Sequence, residues 1–142
     1  LRYVGFATIW PITDDAAAAM MSGSLLEEAL TTEHVLPSSG NASARYAIIP
    51  GVGVLNPYST RGARRGLKLM LNFRNLIVDE YLSETDRCIE LLAFAYSEDG
   101  KQWCERFQMK VETIVRSHLG ARLPLYRRKF CAKDLRIFDE LV

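Results

Sequence analysis

Hydrophobic positions change their period several times along the chain. Residues 1–12 alternate loosely around Tyr3, Val4, Phe6, Ile9 and Trp10. Their β-branched and aromatic character predicts a strand ended by Pro11. Thr13 is placed to cap a helix, with Asp14 and Asp15 in the first turn, where the helix dipole favours acids, and alanines and methionines after them. Gly23 breaks that helix. Ser24-Leu25-Leu26-Glu27 has the form of a capping box, which predicts a second helical segment running to Glu33 and stopping before Pro37.

Residues 37–44 are rich in Ser, Gly, Asn and Ala and read as a surface loop. Tyr46-Ala47-Ile48-Ile49, followed by Pro50 and Gly51-Val52-Gly53, predicts an edge strand with a bend, because Pro and Gly are poorly tolerated in a central strand. Residues 56–66 read as a long basic loop. Leu67, Leu69, Leu71 and Phe73 then alternate with Lys68, Met70, Asn72 and Arg74. A period of two predicts a strand with Leu71 facing the core.

Residues 89–96 and 102–115 flank Asp99-Gly100 and predict a β-hairpin, with Phe107, Met109, Val111 and Val115 on one face of the return arm. A helix capped by Ser83 competes for residues 84–94. Leu135, Phe138, Leu141 and Val142 fall at helical spacing and predict a terminal amphipathic helix. The pattern gives an α+β fold in a single domain over residues 1–142. It has an antiparallel sheet with N-terminal helices and a C-terminal helix packed on one side. A chain that starts at Leu1 and ends inside a helix is also compatible with a fragment of a longer protein.

Composition narrows the class. Of 142 residues, 49% are hydrophobic and 25% charged, a globular balance that excludes disorder, collagen and coiled coil. No apolar run reaches the roughly 20 residues of a membrane-spanning helix. Cys88, Cys104 and Cys131 are far apart and form no CxxC pair, which predicts reduced thiols and an intracellular, cytoplasmic or nuclear, location. His34 and His118 have no Cys, Asp or Glu at metal-ligand spacing, so no metal and no cofactor are expected.

Charge adds the one functional pointer. The net charge is +1, yet no acid lies between Glu33 and Asp79, or between Glu112 and Asp134. These stretches hold Arg61, Arg64, Arg65, Lys68 and Arg74, then Arg127, Arg128, Lys129 and Lys133. Arginine donates two parallel hydrogen bonds to a phosphate, and Gly62 and Gly66 let a backbone approach one. Tyr58 and Tyr126 are placed to stack on a base. The loop is not a nucleotide-hydrolysing P-loop, because only three residues separate its glycines and Leu69 replaces the hydroxyl. Gly51-Val52-Gly53 likewise lacks the third glycine of a dinucleotide fingerprint.

The expected function is a non-catalytic binding or assembly domain that engages a polyanion through both clusters. Nucleic-acid backbone, RNA or DNA, comes first and an anionic membrane surface second. No small-molecule substrate is expected. The alternatives are a self-associating structural protein of viral matrix or capsid-associated type, forming homo-oligomers or binding a protein partner, and an enzyme whose site is assembled from distant residues.

Overall fold

The computed structural model describes residues 5–37, 40, 43–54, 60–82 and 87–131. Tyr58, Lys133 and the expected terminal helix lie outside the described residues. The strands are β1 (Gly5–Ile12), β2 (Tyr46–Val54), β3 (Cys88–Phe94), β4 (Lys110–Arg116) and β5 (Arg122–Cys131). The helices are α1 (Asp14–Met21), α2 (Thr60–Tyr81) and α3 (Glu98–Arg106), with a single 3-10 turn at Glu27–Ala29.

The α+β class holds: five strands form one sheet in the order β1-β2-β3-β5-β4. All neighbours are antiparallel except β2 and β3, which run parallel and are joined across the sheet by α2. A parallel pair needs such a crossover. β3 is buried on both faces. Its Leu91 and Ala93 belong to one core with α2 and α3, and its Leu92 and Phe94 to another with α1. Helices therefore cover both faces of the sheet, not one, because a central strand apolar at successive positions must be shielded twice.

Thr13 caps α1 as the sequence predicts, its Oγ1 accepting from the Ala16 N–H at 3.1 Å. The segment after Gly23 differs: Leu26, not Ser24, precedes the helical residues, and only the Glu27–Ala29 turn forms.

The largest correction concerns residues 56–74. From Thr60 onward this is helix α2, so residues 60–66 of the expected basic loop and the strand expected at residues 67–74 are one helix, and residues 56–59 lie outside the described residues. Its buried side chains are Met70, Phe73, Ile77 and Tyr81, a helical stripe, and Leu71 is only half-buried. The leucine alternation over eight residues competes with a 3.6-residue stripe over 12, and the longer pattern decides.

The Asp99-Gly100 hairpin is also overturned. Ser97 Oγ accepts from the Gly100 N–H at 3.1 Å, so Asp99 and Gly100 are the first turn of α3. The helix ends with Gln108 in the left-handed region (φ 57°) and the Met109 N–H donating to the Cys104 carbonyl. The return arm β4 pairs with β5, and β3 pairs with β5 from Cys88↔Cys131 to Phe94↔Leu125. Cys88 and Cys131 face each other in that register and are joined by a disulfide. Two of the three thiols expected to be reduced are thus paired, and the inference of a reducing compartment loses its basis. Among the described residues, no helix is long and apolar enough to cross a membrane.

Candidate functional site

β2 is not an edge strand, yet its Pro and Gly sit where one is tolerated. It pairs with β3 only at Tyr46↔Glu90, Ala47↔Leu91 and Ile48↔Leu92. It pairs with β1 along its whole length, with an irregularity between Thr8↔Gly51 and Trp10↔Ile48. Two β2 residues, Ile49 and Pro50, there oppose one β1 residue, Ile9. Such a bulge bends the strand, and proline has no N–H to lose from a ladder. Beyond Ile48, β2 follows β1 while β3 stays with β5. The two parallel strands part.

A cleft of about 640 Å³ opens where they separate, within the range of ligand pockets. Ile49 to Val52 form one wall, Ala93, Phe94 and Tyr96 the other, and α3 contributes Ser97, Gly100, Trp103 and Cys104. The floor is α2, through Gly62, Gly66 and Met70 at spacing i, i+4 and i+8. A methyl group built on Gly66 would meet nothing within 4 Å, so the missing side chain leaves open cleft. The cleft lies at the carboxyl ends of parallel strands, where α/β sheets receive ligands.

As a helix, α2 places Arg61, Arg64, Arg65 and Lys68 at i, i+3, i+4 and i+7, one basic stripe on the face of α2 turned away from Gly62, Gly66 and Met70, and none of the four lines the cleft. Arg61, Arg64 and Lys68 are exposed and Arg65 is half-buried. The charges of α2 oppose its own dipole. Its first turn has no acid and its last turn no base, with Asp79 and Glu80 near that end. α1 and α3 obey the rule, with Asp14-Asp15 and Glu98-Asp99 in their first turns. Cations at a helix N-terminus are mildly destabilising unless an anion is held there.

Arg74 falls on another face of α2, away from the stripe. The second predicted cluster is not a patch at all. Tyr126 is 4% exposed in the core with Phe130, so it offers no ring to a base. Arg127 reaches Glu90 and donates to Glu112 Oε1 at 3.1 Å on one face of the sheet. Arg128 donates to the Phe107 carbonyl at 2.9 Å and lies over the Phe130 ring on the other. Lys129 is exposed beside Arg127's face.

The titratable groups show little nucleophilic chemistry. Burial pushes the Cys104 thiol up to about 12, which keeps it neutral at physiological pH. The cleft lining holds neither histidine. His34 Nδ1 accepts from the Thr31 N–H at 3.0 Å, and His118 Nε2 lies 2.7 Å from Glu28 Oε1. Glu27 is the unusual acid: burial pushes it up to about 7, the Tyr96 hydroxyl opposes this, and Glu28 adds to it. Among the described residues, no group of three or more His, Cys, Asp or Glu side chains is placed to hold a metal. No family model matches the chain, and no curated protein matches it either.

Sequence reasoning missed the cleft because it rests on two strands parting and on a parallel pairing 44 residues apart in sequence, from Tyr46↔Glu90 to Ile48↔Leu92. The nearest signal was Pro50 with Gly51 and Gly53 in an otherwise apolar strand, which marks a bulge.

Proposed function

We propose that the chain binds a phosphate-bearing ligand in the cleft between β2 and β3, with its phosphates at the start of α2, where Gly62 lines the cleft and Arg61 and Arg64 stand in the first turns. The observation that carries this reading is the cleft itself, set beside a helix start whose charges favour an anion. The polyanion reading of the sequence narrows accordingly. The anion reader is the start of α2 with Arg61 and Arg64, and the ligand has a body that enters a pocket.

The chemistry of the walls suggests what that body is. Past Ile48 the β3-facing edge of β2 has no strand partner among the described residues. An extended arm with amide groups can pair with such an edge as an added strand does. Phosphates at one end and an amide-bearing arm at the other describe a nucleotide coenzyme of the coenzyme A type. A plain nucleic-acid backbone would use the basic stripe alone.

Calorimetric titration with coenzyme A, with ADP and with a generic single-stranded RNA, each across a salt series, tests this reading. Coenzyme A is expected to bind more tightly than ADP, and RNA more weakly with a steep salt dependence. No binding of coenzyme A or ADP at low salt would overturn it.

Self-association is the second reading, favoured by apolar side chains on both sheet edges. Phe6 and Trp10 are exposed on β1, and Val111 and Ile114 on β4. Unprotected edges template strand pairing between copies. Light scattering at high concentration tests it, and a clean monomer counts against it.

A further inference from the structure

The two edges of the sheet differ in protection. β4 carries what usually keeps an edge from pairing: Lys110, Glu112 and Arg116 along it, and an irregular ladder between Val111 and Thr113. β1 has no charge from Gly5 to Trp10. Its Pro11 stands at an end that is already covered. There the Leu36 N–H donates to the Pro11 carbonyl and the Thr13 N–H to the His34 carbonyl, both at 2.9 Å, beside the isolated bridge Ile12↔Val35. Those two bonds also set the phase of the strand, because successive residues turn their backbone groups to opposite edges. Pro11 and Thr13 bond outward, so Ala7 and Ile9 turn outward as well. Phe6, Thr8 and Trp10 bond inward, opposite Gly53, Gly51 and Ile48 of β2. Among the described residues, nothing pairs with the outward N–H and C=O groups of Ala7 and Ile9. The side chains of Ala7 and Ile9 pack on the α2 core, whereas those of Phe6, Thr8 and Trp10 share the other face and are exposed, Phe6 at 58% and Trp10 at 43%.

We infer that β1 pairs with β1 of a second copy of this chain, antiparallel about a two-fold axis at Thr8, so that two five-stranded sheets join into one. The inference rests on the self-association reading above and assigns it to one edge. A two-fold interface must be self-complementary, and aromatic, Thr, aromatic at positions 6, 8 and 10 is a palindrome. Phe6 falls opposite the partner's Trp10, Thr8 opposite the partner's Thr8, and Trp10 opposite the partner's Phe6. These are the non-hydrogen-bonded positions of the new ladder, where facing side chains come closest. Ala7 faces the partner's Ile9, and Ile9 the partner's Ala7, at the hydrogen-bonded positions, so each open N–H meets an open carbonyl. Centring the pair on Ala7 or Ile9 would set Thr8 against one ring and break the match of aromatic to aromatic. Leu36, bonded at Pro11, stops the partner strand at its own Phe6. A seam from Phe6 to Trp10 is small beside that of a stable dimer, so the pair separates on dilution. Any extended segment could bond this backbone, but the palindrome is a demand that only a second copy makes.

Analytical ultracentrifugation of the full chain over a concentration series tests the seam, with thermal unfolding of each variant as the folding control. Thr8→Lys sets two ammonium groups face to face across the axis and should weaken the dimer at least tenfold. Ile114→Lys, exposed on β4, should leave it unchanged. The register is read by cross-linking under oxygen with a copper catalyst. Thr8→Cys should form a disulfide between copies, since its two thiols stand directly opposite. Phe6→Cys should cross-link to Trp10→Cys in a mixture of the two and only slowly to itself. The parent chain, whose free Cys104 is buried, is the control for background. A monomer at every concentration sinks the self-association reading and this seam with it. A dimer that persists in Thr8→Lys keeps self-association and overturns the seam. Phe6→Cys cross-linking to itself as fast as Thr8→Cys does overturns the two-fold register.

Discussion

Arg127 and Arg128 are neighbours in the chain and point to opposite faces of the sheet. Arg127 donates through Nε to Glu90 Oε1 at 3.2 Å and through NH1 to Glu112 at 3.1 Å, while Arg128 donates to the Phe107 carbonyl at 2.9 Å. The period of two in β5 converts an apparent basic cluster into two separate structural contacts. Arg127 in particular neutralises two carboxylates that would otherwise sit together, and its side chain is only 29% exposed.

Removing it should therefore cost stability. Arg127→Ala leaves Glu90 and Glu112 facing each other partly buried, and a loss of about 2–4 kcal/mol is expected, at or below the range for breaking buried pairs. Chemical denaturation measures it. Affinity for RNA or coenzyme A should not move in the Arg127→Ala protein, and a drop with intact folding would return this residue to the binding surface.

Arg61 and Arg64 carry the opposite expectation. Both are exposed near the start of α2, where a cation opposes the helix dipole. The double change to Ala should leave stability unchanged or raise it by about 0.5 kcal/mol, because Ala also favours helix. Coenzyme A and ADP should bind at least tenfold more weakly. A loss of stability instead would make these arginines part of the scaffold.

The core separates helix from strand at residues 60–81. Phe107 is fully buried, stacked on Trp103 and set against Phe73 and Phe130. Phe107→Ala should cost about 3–5 kcal/mol. Leu71, which the alternating pattern puts in the core, is half-buried, and Leu71→Ala should cost about 1 kcal/mol, less than Met70→Ala or Phe73→Ala. An equal or larger cost at Leu71 would restore the strand.

Those same residues show what the sequence could and could not express. The cap at Thr13, strands at β1, β2 and β3, and burial of Phe107 follow from local chemistry and were legible. The basic set Arg61 to Lys68 was legible as charge, but its shared face appears only once the segment is helical. Ser97-Glu98-Asp99-Gly100 satisfies a hairpin turn and a helix N-terminus equally, and the choice is made by β5 occupying the place beside β3. The pairing of Cys88 with Cys131 depends on that same register, across 43 residues. Tertiary pairing, not propensity, settles each of these.

Gly66 offers a direct separation of folding from function. It lies inside α2, lines the cleft and has open space where its side chain would stand. Gly66→Ala should stabilise the protein by about 0.5–1 kcal/mol, since alanine is the better helix former. The added methyl intrudes on the cleft floor, so coenzyme A affinity should fall in a more stable protein. Unchanged affinity would place the ligand elsewhere.

The pH dependence of stability tests the environment of Glu27. Its carboxyl rises from 4.5 to about 7 on folding, chiefly through burial. The folded protein therefore holds this proton more tightly than the unfolded chain does. The resulting stability is fully present below about pH 4.5 and is lost as pH rises through about 7. Because the group is only half-buried, solvent screening brings the expected loss to about 1 kcal/mol. Glu27→Gln keeps a neutral side chain at every pH, so its stability should fall less between pH 5 and pH 8, and at pH 8 it should exceed that of the parent. Urea denaturation at the two values gives both comparisons. Parallel slopes for parent and Glu27→Gln would mean that the carboxyl is solvated.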